Sequence, residues 1–302
     1  MQSPPKGVIY DQGYRTYEGR YGGRGQALWT MVWSDFQRAL GLKKSWRYKL
    51  GVGVLVGFIV LPMLILLMFS LLPTGEAFPS FFQNPFSGYF DWINRFVLIL
   101  SAMIAADLLC NDRRYRVVPL YLARPIQRYD YILAKFLAIC GFLLTVSLIP
   151  VLAMFGIKLF LAQDSGQFLS EHSRDLSALI LSSFLYSIFY GSFSMAISSL
   201  TVSRGYATGG AIGLGILSGI VALLLFEATQ NRYLFYLVNF EAIVAGVKNV
   251  LFGTAQAIPI PVIARGLVNV DPLDPWVYWL AFVAVVTACG LVVYSVYRRE
   301  GV

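Results

Sequence analysis

Six runs of roughly 20 or more residues, at about 50–72, 90–109, 131–155, 175–200, 206–226 and 276–297, are almost wholly apolar. A helix of that length rises about 30 Å, the thickness of bilayer hydrocarbon. In that medium the backbone must satisfy its own hydrogen bonds, so each run is expected to cross as a helix. The chain is 57% hydrophobic and only 13% charged, where a soluble domain carries about a quarter charged residues. A transmembrane barrel would instead show short alternating segments.

The expected fold class is therefore an all-α polytopic membrane protein with six transmembrane helices. Residues 1–49 form a cytoplasmic tail and interfacial helix, 50–298 the transmembrane domain, and 299–302 a cytoplasmic C-terminus. The tail reads IYDQGYRTYEGRYGGRG in part. It is too glycine-rich for a core and has no apolar stretch of the signal-peptide kind. A flexible tail and an ordered arm lying on a partner both fit it.

Two further segments are amphipathic. In 26–42, Leu28, Trp29, Val32, Trp33, Phe36, Ala39 and Leu40 share one arc, opposite Gln26, Thr30, Ser34, Gln37 and Arg38. Trp29, Trp33 and Phe36 suit a helix lying at the headgroup boundary. In 239–253, Phe240, Ile243, Val244, Val247 and Leu251 form a similar face, and Pro259 and Pro261 prevent continuation. This second helix is expected on the outer surface before the last span.

Charge sets the orientation. Of the 24 Lys and Arg, 18 fall on the side of the termini and six on the other (Arg95, Lys158, Arg174, Arg232, Lys248 and Arg265). The positive-inside rule places both termini in the cytoplasm. The net charge of +8 thus reflects sidedness, and no nucleic-acid partner is needed to explain it.

The fifth run carries two ridges of small residues, Gly205/Gly209/Gly213 and Ala207/Ala211/Gly215/Gly219. Such ridges let helix backbones approach closely. Together with Gly53 and Gly57 of the first run, Gly209 and Gly213 are expected to meet a neighbouring helix, within the subunit or in a second copy.

Catalytic signals are missing from the sequence. It contains no GxxxxGK[ST] phosphate loop, no HExxH and no GxSxG. Cys110, Cys140 and Cys289 lack metal-ligand spacing, so no metal site is expected. His172 lies alone in a loop expected to be exposed, and Asp107 reads as a near-surface acid paired with neighbouring arginines.

The longest basic polar stretch, 107–135, reads DLLCNDRRYRVVPLYLARPIQRYDYILAK. Its prolines, Pro119 and Pro125, predict a turn, a short helix and a second turn. Clustered arginine by itself explains only cytoplasmic retention. Asp112, Leu120, Leu122, Pro125, Arg128 and Lys135 nevertheless fall at spacings that resemble the cytoplasmic loop of ABC-2 type transporter permeases, in the copper-enzyme-maturation and multidrug-type branch. The family's Gly-Thr-Leu element is replaced here by Arg116, Val117 and Val118.

The resemblance implies a permease subunit, not an enzyme, that exports a hydrophobic or amphiphilic substrate from the bacterial inner membrane. It implies a second permease subunit, homodimeric or a related paralogue, and two copies of a separate ATPase. This chain would bind no cofactor, with ATP and Mg²⁺ held by the ATPase. Residues 119–128 would form the coupling helix, with Arg116, Pro119, Leu120, Tyr121, Leu122, Arg124, Pro125 and Arg128 at the contact. Some of these arginines could instead hold the phosphates of membrane lipids. A secondary transporter and a non-transporting membrane scaffold remain the alternatives.

Overall fold

A computed structural model describes residues 23–42, 44, 46–71, 85–115, 117, 127–162, 164–254, 258–262 and 266–299. Ten helices occur among them: α1 (Arg24–Ala39), α2 (Trp46–Leu71), α3 (Pro85–Arg114), α4 (Arg128–Leu161), α5 (Ser165–Glu171), α6 (Ser173–Ser199), α7 (Arg204–Thr229), α8 (Arg232–Val238), α9 (Phe240–Phe252) and α10 (Pro275–Arg299). Six are long and apolar enough to cross a membrane: α2, α3, α4, α6, α7 and α10. The molecule is an all-α polytopic membrane protein with one small hairpin added. Its helices overrun the apolar runs, because polar turns at each end continue the helix beyond the hydrocarbon. α4 passes through Pro150 without a break.

The bundle is built around α3 and α6, with 78% and 67% of their spanning stretches buried, against 17% for α2 and for α10. α6 is rich in serine, yet it occupies the centre. Several of its hydroxyls bond back within the helix: Ser183 Oγ donates to the Leu179 carbonyl at 2.9 Å and Ser187 Oγ to the Ser183 carbonyl at 2.7 Å. Serine that bonds back one turn can be buried without losing a hydrogen bond to water. Where α6 meets α3, Ser194 and Ser101 pair at 2.7 Å and the Tyr190 hydroxyl donates to Asn94.

The two glycine ridges of α7 have different surroundings. A Cβ on Gly215 would lie 2.5 Å from Leu98 of α3, whereas Cβ atoms on Gly209, Gly213, Gly53 or Gly57 would meet nothing within 4 Å. One ridge is thus packed inside the subunit, and the other leaves an open strip.

At the end of the bundle away from α1, α8 and α9 are bent at 100° to each other. Asn239 makes the break: its backbone N–H ends α8 on the Phe235 carbonyl, and its side chain accepts from Glu241 and Ala242 N–H to start α9. α9 is the amphipathic helix expected before the last span. Its apolar face, including Ile243, Val244 and Val247, packs into the bundle. Gly246 permits this, since a Cβ there would lie 2.2 Å from the Tyr278 ring of α10. Lys248, 1% exposed, holds both oxygens of Asp91 on α3 at 2.7 Å, and Arg95 approaches Glu241 at 3.5 Å. Beyond α9, Ile258–Val262 (β1) and Gly266–Val270 (β2) pair antiparallel, with Pro259 and Pro261 on β1. Proline suits such a strand because each one has an open edge.

Candidate functional site

The opposite end of the bundle, where α1 lies and α10 ends, is held by charge. α1 presents Met31, Asp35 and Ala39 to the bundle on one line four residues apart, and leaves Trp29 and Trp33 exposed. Phe36 stacks on Trp33 and meets Phe142 of α4 edge-on. α1 is therefore docked by a buried stripe with one acid, Asp35, at its centre and turns its tryptophans outward, where membrane lipid would meet them.

Lys135 of α4, fully buried, is the centre of the junction. Its Nζ lies 2.9 Å from Asp35 and 2.6 Å from Asp112 of α3. Arg38 of α1 reaches the same two carboxylates at 3.1 Å and 3.3 Å, and the Tyr131 hydroxyl donates to Asp112 at 3.2 Å. Two cations and two anions thus close a ring that joins α1, α3 and α4. Buried charges persist only when paired in this way.

A second cluster lies five residues earlier on α3. Asp107 pairs with Lys44 of the α1–α2 linker and, at 3.1 Å, with Arg204 at the start of α7, and accepts from Asn111 at 3.1 Å. Arg113 donates to the carbonyls of Ser199 and Thr201 and so ties α3 to the α6–α7 turn. At the first turn of α4, Arg24 grips both oxygens of Asp130 at 2.8 Å and donates to the Tyr129 hydroxyl at 2.6 Å. These bonds, to Asp130 first and Tyr129 second, push the Arg24 guanidinium above its ordinary pKa. Its charge is therefore fixed at any pH the protein meets.

The junction surrounds the place where the chain leaves α3 and enters α4, which is the basic loop of the sequence. Arg116, Pro119, Leu120, Tyr121, Leu122, Arg124 and Pro125 lie outside the described residues. Arg128 is the first residue of α4, and its guanidinium donates to the Arg298 carbonyl at 3.2 Å. Asp107 is paired as expected of an acid near arginine, but its partners come from the linker and α7. Distant elements reach it because it is buried on the inner face of α3. His172 stacks on Phe168 at 4.3 Å and occupies the position just before α6. Asp35 was not singled out by sequence, although one acid in line with Met31 and Ala39 was the available signal.

This arrangement defines a class: a six-span helical membrane protein whose membrane helices are clamped together, with an amphipathic helix, around one basic loop. A family model described as ABC-2 family transporter protein matches residues 75–302, and the chain belongs to that family. It is a multi-pass membrane protein and a permease component of an ABC transporter, a transport part not itself catalytic, in a family that generally works with an ATPase subunit. No curated protein matches the chain.

Proposed function

We propose that this permease couples to its ATPase through the basic loop, and that the ionic junction passes the resulting displacement to the spanning helices. The observation that carries the reading is Lys135, which joins the helices on both sides of the loop to each other and to α1. A push on residues 119–128 then moves α3, α4 and α1 as one body. Leu120, Tyr121 and Leu122 supply an apolar tip for a groove on the ATPase, and Arg116, Arg124 and Arg128 supply charge-assisted bonds at its rim. Pro119 and Pro125 reduce the ordering entropy lost on docking.

On this reading two permease subunits, identical or paralogous, meet along the open strip of Gly209 and Gly213 and the glycines of α2, and each carries one ATPase. ATP and Mg²⁺ belong to that ATPase. The termini face the cytoplasm of a bacterial cell, and the transporter exports a hydrophobic or amphiphilic substrate. The test is purification of the tagged full-length chain from its native membrane. The expected complex holds two copies of a phosphate-loop ATPase and two permeases, with ATP hydrolysis in the pooled fraction. A pure permease without ATPase, under conditions that keep other transporters of this kind intact, would contradict the proposal.

A further inference from the structure

Between α4, α6 and α10, on the outside of the bundle, runs a cavity of about 400 Å³. Ile132, Leu133 and Phe136 form one wall, Met195 the floor, and Val286 and Gly290 the other wall. The lining carries two hydroxyls and both are engaged: Ser192 donates to the Phe189 carbonyl at 2.9 Å, and Tyr129, at one end, accepts from Arg24 at 2.6 Å. An occupant must therefore be apolar along this length.

The groove starts at Tyr129, one residue into α4, and extends to Phe136. At 1.5 Å per residue that is roughly 10 Å, most of the hydrocarbon depth of one leaflet, about 15 Å. Gly290 lies nine residues before the end of α10 at Arg299, so both walls place the groove in the leaflet nearest the end of α10. An acyl chain of the same leaflet lies at this depth and needs no polar partner along its length.

Charge at the mouth completes the picture. Arg128 bonds the Arg298 carbonyl, which brings the start of α4 against the end of α10. Arg298 and Arg299 are exposed there, and Arg24 lies over the Tyr129 ring at 5.1 Å. Asp130 offsets Arg24, and the exposed Arg298 and Arg299 leave positive charge at headgroup level.

We propose that this groove is a binding site for one acyl chain of an anionic phospholipid, whose phosphate sits at Arg298 and Arg299. The site is distinct from the loop and from the open glycine strip, and it stands whether or not the coupling proposal does. The lipid would bind the end of α10 to the start of α4, beside the junction.

The experiment titrates the full-length chain in detergent with palmitoyl-oleoyl phosphatidylglycerol, and with phosphatidylcholine of the same chains, and counts retained lipid by native mass spectrometry. Phosphatidylglycerol is expected to bind more tightly. Replacing Arg298→Ala and Arg299→Ala together should weaken it about fivefold per arginine, the worth of one basic residue at an anionic surface, with phosphatidylcholine unchanged. Gly290→Leu should weaken both lipids by filling the groove. A Cβ at Gly290 meets nothing within 4 Å, so this variant is expected to fold, and Met195→Trp fills the same space from α6 with the same expectation. Equal binding of the two lipids by the native chain would overturn the proposal. So would undiminished lipid binding in both groove-filling variants, including the case where Gly290→Leu changes the oligomeric state instead, which would assign the groove to another polypeptide.

Discussion

Lys135 shows how a buried charge specifies geometry more than it adds stability. Removing two ion pairs from water costs several kcal/mol per ion, and their mutual attraction repays that only when every partner is present. Lys135→Met should therefore destabilise the detergent-solubilised protein by about 3–5 kcal/mol, because Asp35 and Asp112 are left facing each other with only Arg38 between them. The triple variant Lys135→Met, Asp35→Leu, Asp112→Leu should recover much of the loss in a thermal melt. A triple variant as unstable as the single one would show that packing, and not orphaned charge, is responsible. Gly246 makes a second residue-scale case. The Tyr278 ring cannot move aside easily, since its hydroxyl accepts from Leu273 N–H and its face packs edge-on to Tyr236. Gly246→Ala should cost about 1–3 kcal/mol by overpacking, read as a lower melting temperature.

At the scale of elements, the sequence showed more of what lies in the membrane than of what lies across its ends. The spans were legible because hydrocarbon demands one composition over one length. The break at Asn239 was not, since the face of Ile243, Val244 and Val247 looks the same whether it meets lipid or protein. Only tertiary contacts decide, here Lys248 on Asp91 and Gly246 on Tyr278. The hairpin after α9 was likewise hidden, as alternate prolines read first as helix stops. The two ridges of α7 were legible as small-residue lines, but their partners were not. The packed ridge now has one, α3, and the open ridge predicts the other. Gly209→Leu or Gly213→Leu should leave the subunit folded, because no described atom lies within 4 Å of either Cβ. Each should break the proposed permease dimer, as read by size-exclusion light scattering. A native dimer in both variants would remove the open strip from the assembly.

For the molecule as a whole, one junction gathers groups from α1, the α1–α2 linker, α3, α4 and α7, far apart in sequence. Of these, Asp112 and Lys135 were legible through the family resemblance, and Asp107 through its place at the end of an apolar run. Asp35 and Arg204 required the fold, because their partners lie 100 and 97 residues away. Sidedness is the remaining molecular property, and it rests on the 18 Lys and Arg on the side of the termini. In whole cells, a cysteine placed at Ser165 or Asn269 should react with an impermeant maleimide, and one at Gln12 should not. Labelling at Gln12 would invert the orientation. The coupling claim is tested most directly by replacing Leu120→Asp and Leu122→Asp together in the permease, co-expressed with its ATPase. These changes put charge into the proposed apolar contact and leave every group of the ionic junction in place. The account predicts a variant that inserts and elutes as the native chain does, yet no longer retains the ATPase. A variant that holds the ATPase at the native ratio would contradict it.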